Sequence, residues 1–135
     1  MKPIGVVTCI HSTDLEASLR FYRDCFQLPD LAIEEDMFTI ELNGLSLFMM
    51  TRDSFESYSR RVSLPAHFPK TSVGTIFSCA IDDQDEIERI LASAGEAGGE
   101  AVQNLQQNQW GQDVAYVRDP DGYVWELVLV PGSAE

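Results

Sequence analysis

One carboxylate stands where chemistry can happen. In the run Tyr123-Val124-Trp125-Glu126-Leu127-Val128-Leu129, a strand places Val124, Glu126 and Val128 on one face and Tyr123, Trp125, Leu127 and Leu129 on the other. Glu126 therefore interrupts an apolar face. A charge in such a place is costly unless it meets a metal, a cation or a ligand. It can serve as a general base on a carbon acid, its pKa raised by apolar walls. It can instead receive the cationic group of a ligand, or pair internally with Arg118, across the preceding turn.

Other reactive side chains are few. The three cysteines, Cys9, Cys25 and Cys79, are far apart, which fits reduced, mostly buried thiols in a cytosolic setting better than a disulfide framework or a zinc site. Cys9 has no base beside it in sequence and reads as a small hydrophobe. His11 sits next to Ser12 and Thr13 and reads as a loop residue ahead of a helix; only a shifted register would turn it inward. His67 stands between prolines and reads as exposed. No Cys-x-x-Cys, His-x-x-x-His or paired His–carboxylate spacing proposes a metal site. Trp110 either stacks on a ligand or anchors the Gln/Asn-rich loop over 103–109.

The elements that must position these residues follow from periodicity. Residues 4–10 read as a buried strand. Thr13 and Glu16 make a capping-box pattern, and Leu15, Leu19, Tyr22 and Phe26 form one helical stripe ended by Pro29. A short strand is expected at 30–35. Alternation at Phe38, Ile40 and Leu42, the Asn43-Gly44 turn and the run 45–51 make a hairpin. The order then recurs: a strand over 73–81, a helix capped by Asp83 with Ile87, Ile90, Leu91 and Ala94 as its stripe, and strands near 100–106, 112–118 and 123–130. Asp119-Pro120-Asp121-Gly122 makes the last turn, with Pro presetting φ and Gly accepting a left-handed conformation. The chain is one domain: a first module over 3–51, a linker over 52–72 with one helical turn near Phe55–Tyr58, and a second module over 73–130. Arg60, Arg61 and Lys70 make the linker a local basic spot, and the tail 131–135 is expected to fray.

Composition narrows the partners. The 135 residues carry a net charge of −13, which argues against nucleic acid and anionic membrane surfaces. Solubility is the plain reading of that charge; a cationic ligand is compatible with it. No apolar run approaches the roughly 18 residues of a membrane span. Met1-Lys2-Pro3 is not followed by the long apolar stretch of a secretory leader. A cytoplasmic protein is the expectation.

With this layout, the Asp14-Leu15-Glu16-Ala17-Ser18-Leu19-Arg20-Phe21-Tyr22 helix and the Asp119-Pro120-Asp121-Gly122-…-Glu126 ending, the chain resembles the vicinal-oxygen-chelate superfamily. That group includes glyoxalase I, bleomycin-resistance proteins and extradiol dioxygenases. The resemblance implies an α+β fold in which two β-α-β-β-β modules curl a mixed sheet into a cup around a cavity, with helices outside. It also implies a homodimer. Metal-dependent members place ligands on the inner strand positions that here fall on Val7, Phe48, Ile76 and Glu126, of which only Glu126 is a ligand type. No cofactor is therefore expected; a divalent zinc, nickel, manganese or iron would require a different register, with His11 as the remote candidate.

The implied cavity is lined by Val7, Cys9, Ser46, Phe48, Met50, Ile76, Ser78, Val124, Glu126 and Val128, an apolar pocket with a few polar groups; its strand residues can equally be plain core. Three functions compete. One is a metal-independent protein, similar to bleomycin-resistance proteins, that binds a small, partly aromatic or cationic molecule through Val7, Cys9, Phe48, Met50, Ile76, Ser78, Trp110 and Glu126. Another is a metal-dependent lyase or isomerase resembling glyoxalase I, or a dioxygenase-like enzyme, with Glu126 as catalytic base or ligand. The third is a protein-interaction module whose cavity is filled by its own side chains.

Overall fold

Seven strands and three helices are found among the described residues, 1–69 and 72–131, of the computed structural model. Two sheets carry the α+β fold. In the first half, β1 (Thr8–Ser12), β2 (Met37–Leu42) and β3 (Leu45–Thr51) form a sheet of order β1-β3-β2, with β1 parallel to β3. In the second, β4 (Ile76–Ile81), β5 (Glu100–Gln107), β6 (Asp113–Arg118) and β7 (Val124–Leu129) form a sheet of order β4-β7-β6-β5, with β4 parallel to β7. The helices are α1 (Leu15–Cys25), α2 (Arg52–Arg61) and α3 (Gln84–Ser93).

The two halves are less alike than their sequence pattern predicts. The strand expected at 30–35 is reduced to a single bridge between Glu34 and Met37. Glu35 and Asp36 carry positive φ values of 52° and 66° there, the two-residue turn that closes this bridge. The first strand also begins later than expected, at Thr8, and residues 4–7 are exposed. The linker holds a ten-residue helix, not one turn: Thr51 caps α2 by accepting from the Ser54 amide. Lys70 and residues 132–135 lie outside the described residues.

The helical stripes behave as periodicity demands. Leu15, Leu19 and Tyr22 of α1 and Ile87, Ile90 and Leu91 of α3 are buried. The α1 cap is Asp14, whose carboxylate accepts from the Ala17 amide at 3.1 Å, and not Thr13; such a cap is worth about 1 kcal/mol. Asp83 caps α3 as expected. Beneath the helices lies one core. Trp125 is its centre, packed by Phe77 (ring centroids 4.6 Å apart), Phe26 (5.0 Å) and Tyr22 (5.9 Å). Strand alternation puts Leu47, Met49, Trp125 and Leu127 on that helix-covered side, all essentially inaccessible. It leaves Phe48, Ser78 and Glu126 on the other side, the open face.

Candidate functional site

Pairing across the second sheet builds a polar row on the open face. Ser78 of β4 lies opposite Glu126 of β7, and Glu126 lies opposite Tyr116 of β6. Ser78 Oγ donates to Glu126 Oε1 at 2.6 Å, and the Tyr116 hydroxyl donates to Oε2 at 2.5 Å. Both are short, charge-assisted bonds. They hold the Glu126 carboxyl below the ordinary carboxylate range, with Ser78 the larger cause. The same bond raises the Tyr116 phenol. The expectation of a base raised by apolar walls is thus reversed: Glu126 is half-exposed and its ionised form is the one its neighbours favour. The internal ion pair with Arg118 does not form either. Arg118 Nη1 reaches Glu100 Oε1 at 3.4 Å, and among the described residues no ion pair includes Glu126.

Apolar side chains stand along the same strands and, separately, along the first sheet. Ile76, 55% exposed, lies opposite Val124 two residues along the same strands. On the first sheet, Cys9 lies opposite Phe48, both half-buried. Val7, just ahead of β1, is exposed. Met50, expected in the lining, is buried, and so is His11, its partner on β1. Both lie where α2 rests on β1 and β3. Trp110 is 76% exposed on its loop.

His11 does share the face of Cys9 and Phe48, as alternation from Cys9 requires. Its neighbours are aromatic: Phe68 at 4.2 Å and Phe55 at 6.2 Å between ring centroids. The Tyr123 hydroxyl accepts from the His11 amide at 3.2 Å and lies 2.8 Å from Nδ1. Two clefts border the face. One of about 260 Å³ takes in Cys9, His11, Phe55, His67 and Tyr123. Another, about 600 Å³, runs along β4 and takes in Ile76 and Ser78.

Val7, Phe48 and Ile76 carry no donor atom, which leaves Glu126, already accepting from Ser78 and Tyr116, as the one ligand-type side chain at these four positions. Among the described residues no group of three or more His, Cys, Asp or Glu side chains is placed to hold a metal ion. All three cysteines are free thiols.

The aspartates of the last turn have a different task. Asp119 is buried; its Oδ2 accepts from the Tyr22 hydroxyl at 2.6 Å, and its Oδ1 accepts from the Asp121 and Tyr123 amides. Trp125 Nε1 donates to the same Tyr22 oxygen. Burial pushes the Asp119 carboxyl up to about 6, against the pull of the Tyr22 bond. Asp121 accepts from the Thr13 amide and from Ser18 Oγ. The turn of the second half thereby fastens the first helix of the first half. The Tyr22 hydroxyl lies inside the core.

The residue that sequence reasoning missed is Tyr116. Its signal was present: the turn closes with the Asp119 amide donating to the Tyr123 carbonyl, and counting outward three residues from that pair sets Tyr116 against Glu126.

This fold places the chain among glyoxalase-like proteins, and the sequence agrees. The family described as the Glyoxalase/Bleomycin resistance protein/Dioxygenase superfamily matches residues 5–127, so the chain belongs to it. Among solved structures it is similar to a hypothetical protein from S. aureus (20% identity, 96% of each chain, TM-score 0.77). It is also similar to a glyoxalase-related enzyme from Fulvimarina pelagi (22% identity, 95% of this chain and 89% of that one, TM-score 0.76). A lactoylglutathione lyase from Agrobacterium tumefaciens matches at 20% identity over 96% of each chain, with a TM-score of 0.63. No curated protein matches the sequence. No helix of the described residues is long and apolar enough to cross a membrane.

Proposed function

We propose that this protein binds a small organic cation with an apolar or aromatic body on its open face, without a divalent metal. The observation that carries this reading is Glu126: an ionised carboxylate, preorganised by Ser78 and Tyr116, half-exposed, and paired with no cation among the described residues. Each of its oxygens retains a lone pair, so an ammonium or amidinium group can add to the existing bonds. Ile76 and Val124 on the same strands, and Phe48 and Cys9 on the first sheet, supply apolar surface for the rest of the ligand. The net charge of −13 draws cations toward the surface at long range. A lyase or isomerase reading is less well supported, because a carboxyl held below its ordinary pKa is a weaker base and three of the family's ligand positions lack donors.

A thermal-shift series tests this. Aromatic amines, their neutral analogues and the matching carboxylates are compared, each with and without zinc, nickel and manganese. Binding to the folded form raises the melting temperature. Amines are expected to raise it in metal-free protein, and Glu126→Gln to abolish the rise. A shift that requires stoichiometric metal, or one that Glu126→Gln leaves intact, would refute the proposal.

A further inference from the structure

The chain holds three asparagines, Asn43, Asn104 and Asn108, and only Asn43 is followed by glycine. An asparagine can lose its side-chain amide without an enzyme. The backbone nitrogen of the next residue attacks the side-chain carbonyl carbon, and a side chain on that next residue crowds the attack. Glycine has none. Asn43-Gly44 is also the two-residue turn between β2 and β3, with Leu42 paired to Leu45 across it. Both turn residues are exposed, and the space around Gly44 is open to 4 Å. Gly44 carries a φ of 86° and Asn43 does not take a positive φ, the pattern of a type II turn. Among the described residues no hydrogen bond within the protein engages the Gly44 amide, the Asn43 carbonyl or the Asn43 side chain. The peptide plane between the two is therefore unanchored, and glycine lets it rotate until its nitrogen faces the side chain. The comparable positions are closed. Leu105 follows Asn104, and its branched side chain crowds the attacking nitrogen. Asn108 Oδ1 accepts from the Trp110 and Gln112 amides at 2.9 and 3.0 Å. Asp121-Gly122, a pair that cyclises the same way with loss of water, is held at both ends. The Gly122 amide donates to the Asp119 carbonyl at 2.9 Å, and the Asp121 carboxylate accepts from the Thr13 amide and Ser18 Oγ.

We propose that Asn43 is a site of self-deamidation in the folded protein. The Gly44 nitrogen gives its proton to hydroxide and bonds to Asn43 Cγ. The Cγ–Nδ2 bond breaks, and the departing nitrogen takes a proton from water and leaves as ammonia. A water molecule then opens the five-membered imide, at Cγ to an aspartyl residue or at the main-chain carbonyl to an isoaspartyl one. One water is consumed, one ammonia is released, hydroxide is returned, and nothing is oxidised or reduced. The site is placed where the change is felt. Asn43 and Glu86 both border the cleft of about 600 Å³ along β4, so the reaction sets a second carboxylate on that rim, in a chain already at −13. The isoaspartyl product also lengthens the backbone of the turn by one carbon, against the register in which Leu42 meets Leu45. The proposal stands on the turn alone, so the failure of a cation to bind on the open face leaves it untouched.

Incubation of the full chain at neutral and at mildly alkaline pH tests this, with circular dichroism following the fold. Isoelectric focusing should show a more acidic band growing at the expense of the first, faster at the higher pH, with ammonia released in proportion. Peptide mass mapping, combined with isoaspartyl methyltransferase labelling, is expected to place nearly all of the change at position 43 and to find Asn104, Asn108 and Asp121 intact. Asn43→Gln, which would have to close a less favourable six-membered ring, should lose the acidic band while keeping the native spectrum. In urea, where the bonds that hold Asp121 and Gly122 are gone, Asp121 should become labelled as well. A synthetic peptide of residues 40–47 gives the unrestrained rate. An Asn43 that stays intact in the folded chain while the peptide converts, an acidic band that persists in Asn43→Gln, labelling of Asp121 in the folded chain, or conversion of Asn104 or Asn108 to the same extent as Asn43 would each overturn the proposal.

Discussion

The Tyr22 hydroxyl donates to the Asp119 carboxylate at 2.6 Å, across 97 positions of sequence. Both groups are buried, and Trp125 Nε1 completes the set by donating to the phenol oxygen at 3.0 Å. No buried side-chain nitrogen or oxygen is left without a hydrogen-bond partner among the described residues, and this triad is the clearest case of why. Tyr22→Phe removes a donor to Asp119 and an acceptor for Trp125 at once. Each orphaned group costs about 1–3 kcal/mol. Urea unfolding should show a loss of about 3 kcal/mol; a change near zero would mean that water replaces the phenol.

Asp119 also sets a pH dependence. Its folded-state pKa is raised from 3.8 to about 6, chiefly by burial. The folded state therefore holds a proton that the unfolded chain releases. The resulting stability is fully present below the unfolded pKa and is lost as pH rises through about 6. At about 1.4 kcal/mol per pKa unit, the swing is about 3 kcal/mol. Measured as the difference in unfolding free energy between wild type and Asp119→Asn, it should change progressively between pH 4 and pH 7. A difference flat across that range would show that Asp119 ionises normally.

Glu126 runs in the opposite sense. Its folded pKa is depressed, so its contribution is present at neutral pH and is lost as pH falls through the folded value. Ser78→Ala and Tyr116→Phe should each raise that pKa, and Ser78→Ala by more, since the Ser78 bond is the larger cause. Arg118→Ala should leave it nearly unchanged, because Arg118 pairs with Glu100. A carbon-13 titration of the Glu126 carboxyl separates these outcomes, and a large response to Arg118→Ala would restore the internal ion pair.

Gly99 is required by close approach. A Cβ there would sit 2.2 Å from the Arg118 carbonyl oxygen and 2.4 Å from the Phe21 ring. Neither the backbone nor a fully buried ring can yield cheaply. Gly99→Ala should destabilise by about 3 kcal/mol through overpacking, read as a lower denaturation midpoint. Gly95→Ala, with nothing within 4 Å of its added carbon, is the control and should be near neutral.

Much of this architecture was legible because its signals are local. The α1 and α3 stripes, the Asn43-Gly44 and Asp119–Gly122 turns, and the alternation that sends Trp125 inward and Glu126 outward all follow from side-chain period and turn chemistry. Of the strand expected at 30–35 only the Glu34–Met37 bridge forms, closed by a left-handed Glu35-Asp36 turn that no hydrophobic pattern announces. The extent of α2 was missed because its ten residues bury no side chain of their own. At the site, Glu126 and Ser78 were identifiable from register, but the environment of Glu126 was not. Its pKa depends on a tyrosine supplied by the neighbouring strand, and the sequence suggested apolar walls instead. Tyr22 and Asp119 were each visible as a stripe residue and a turn residue; that they meet is a tertiary fact.

One consequence of the Asp119–Asp121 turn concerns the chain's continuity. The grip of the second half on α1 runs through Thr13, Ser18 and Tyr22 and needs no peptide bond between α2 and β4. A nick in that connecting stretch should then be survivable: the two fragments, produced separately and mixed, ought to reassemble into a complex with the native circular-dichroism spectrum, while fragments bearing Asp119→Ala and Asp121→Ala should drift apart.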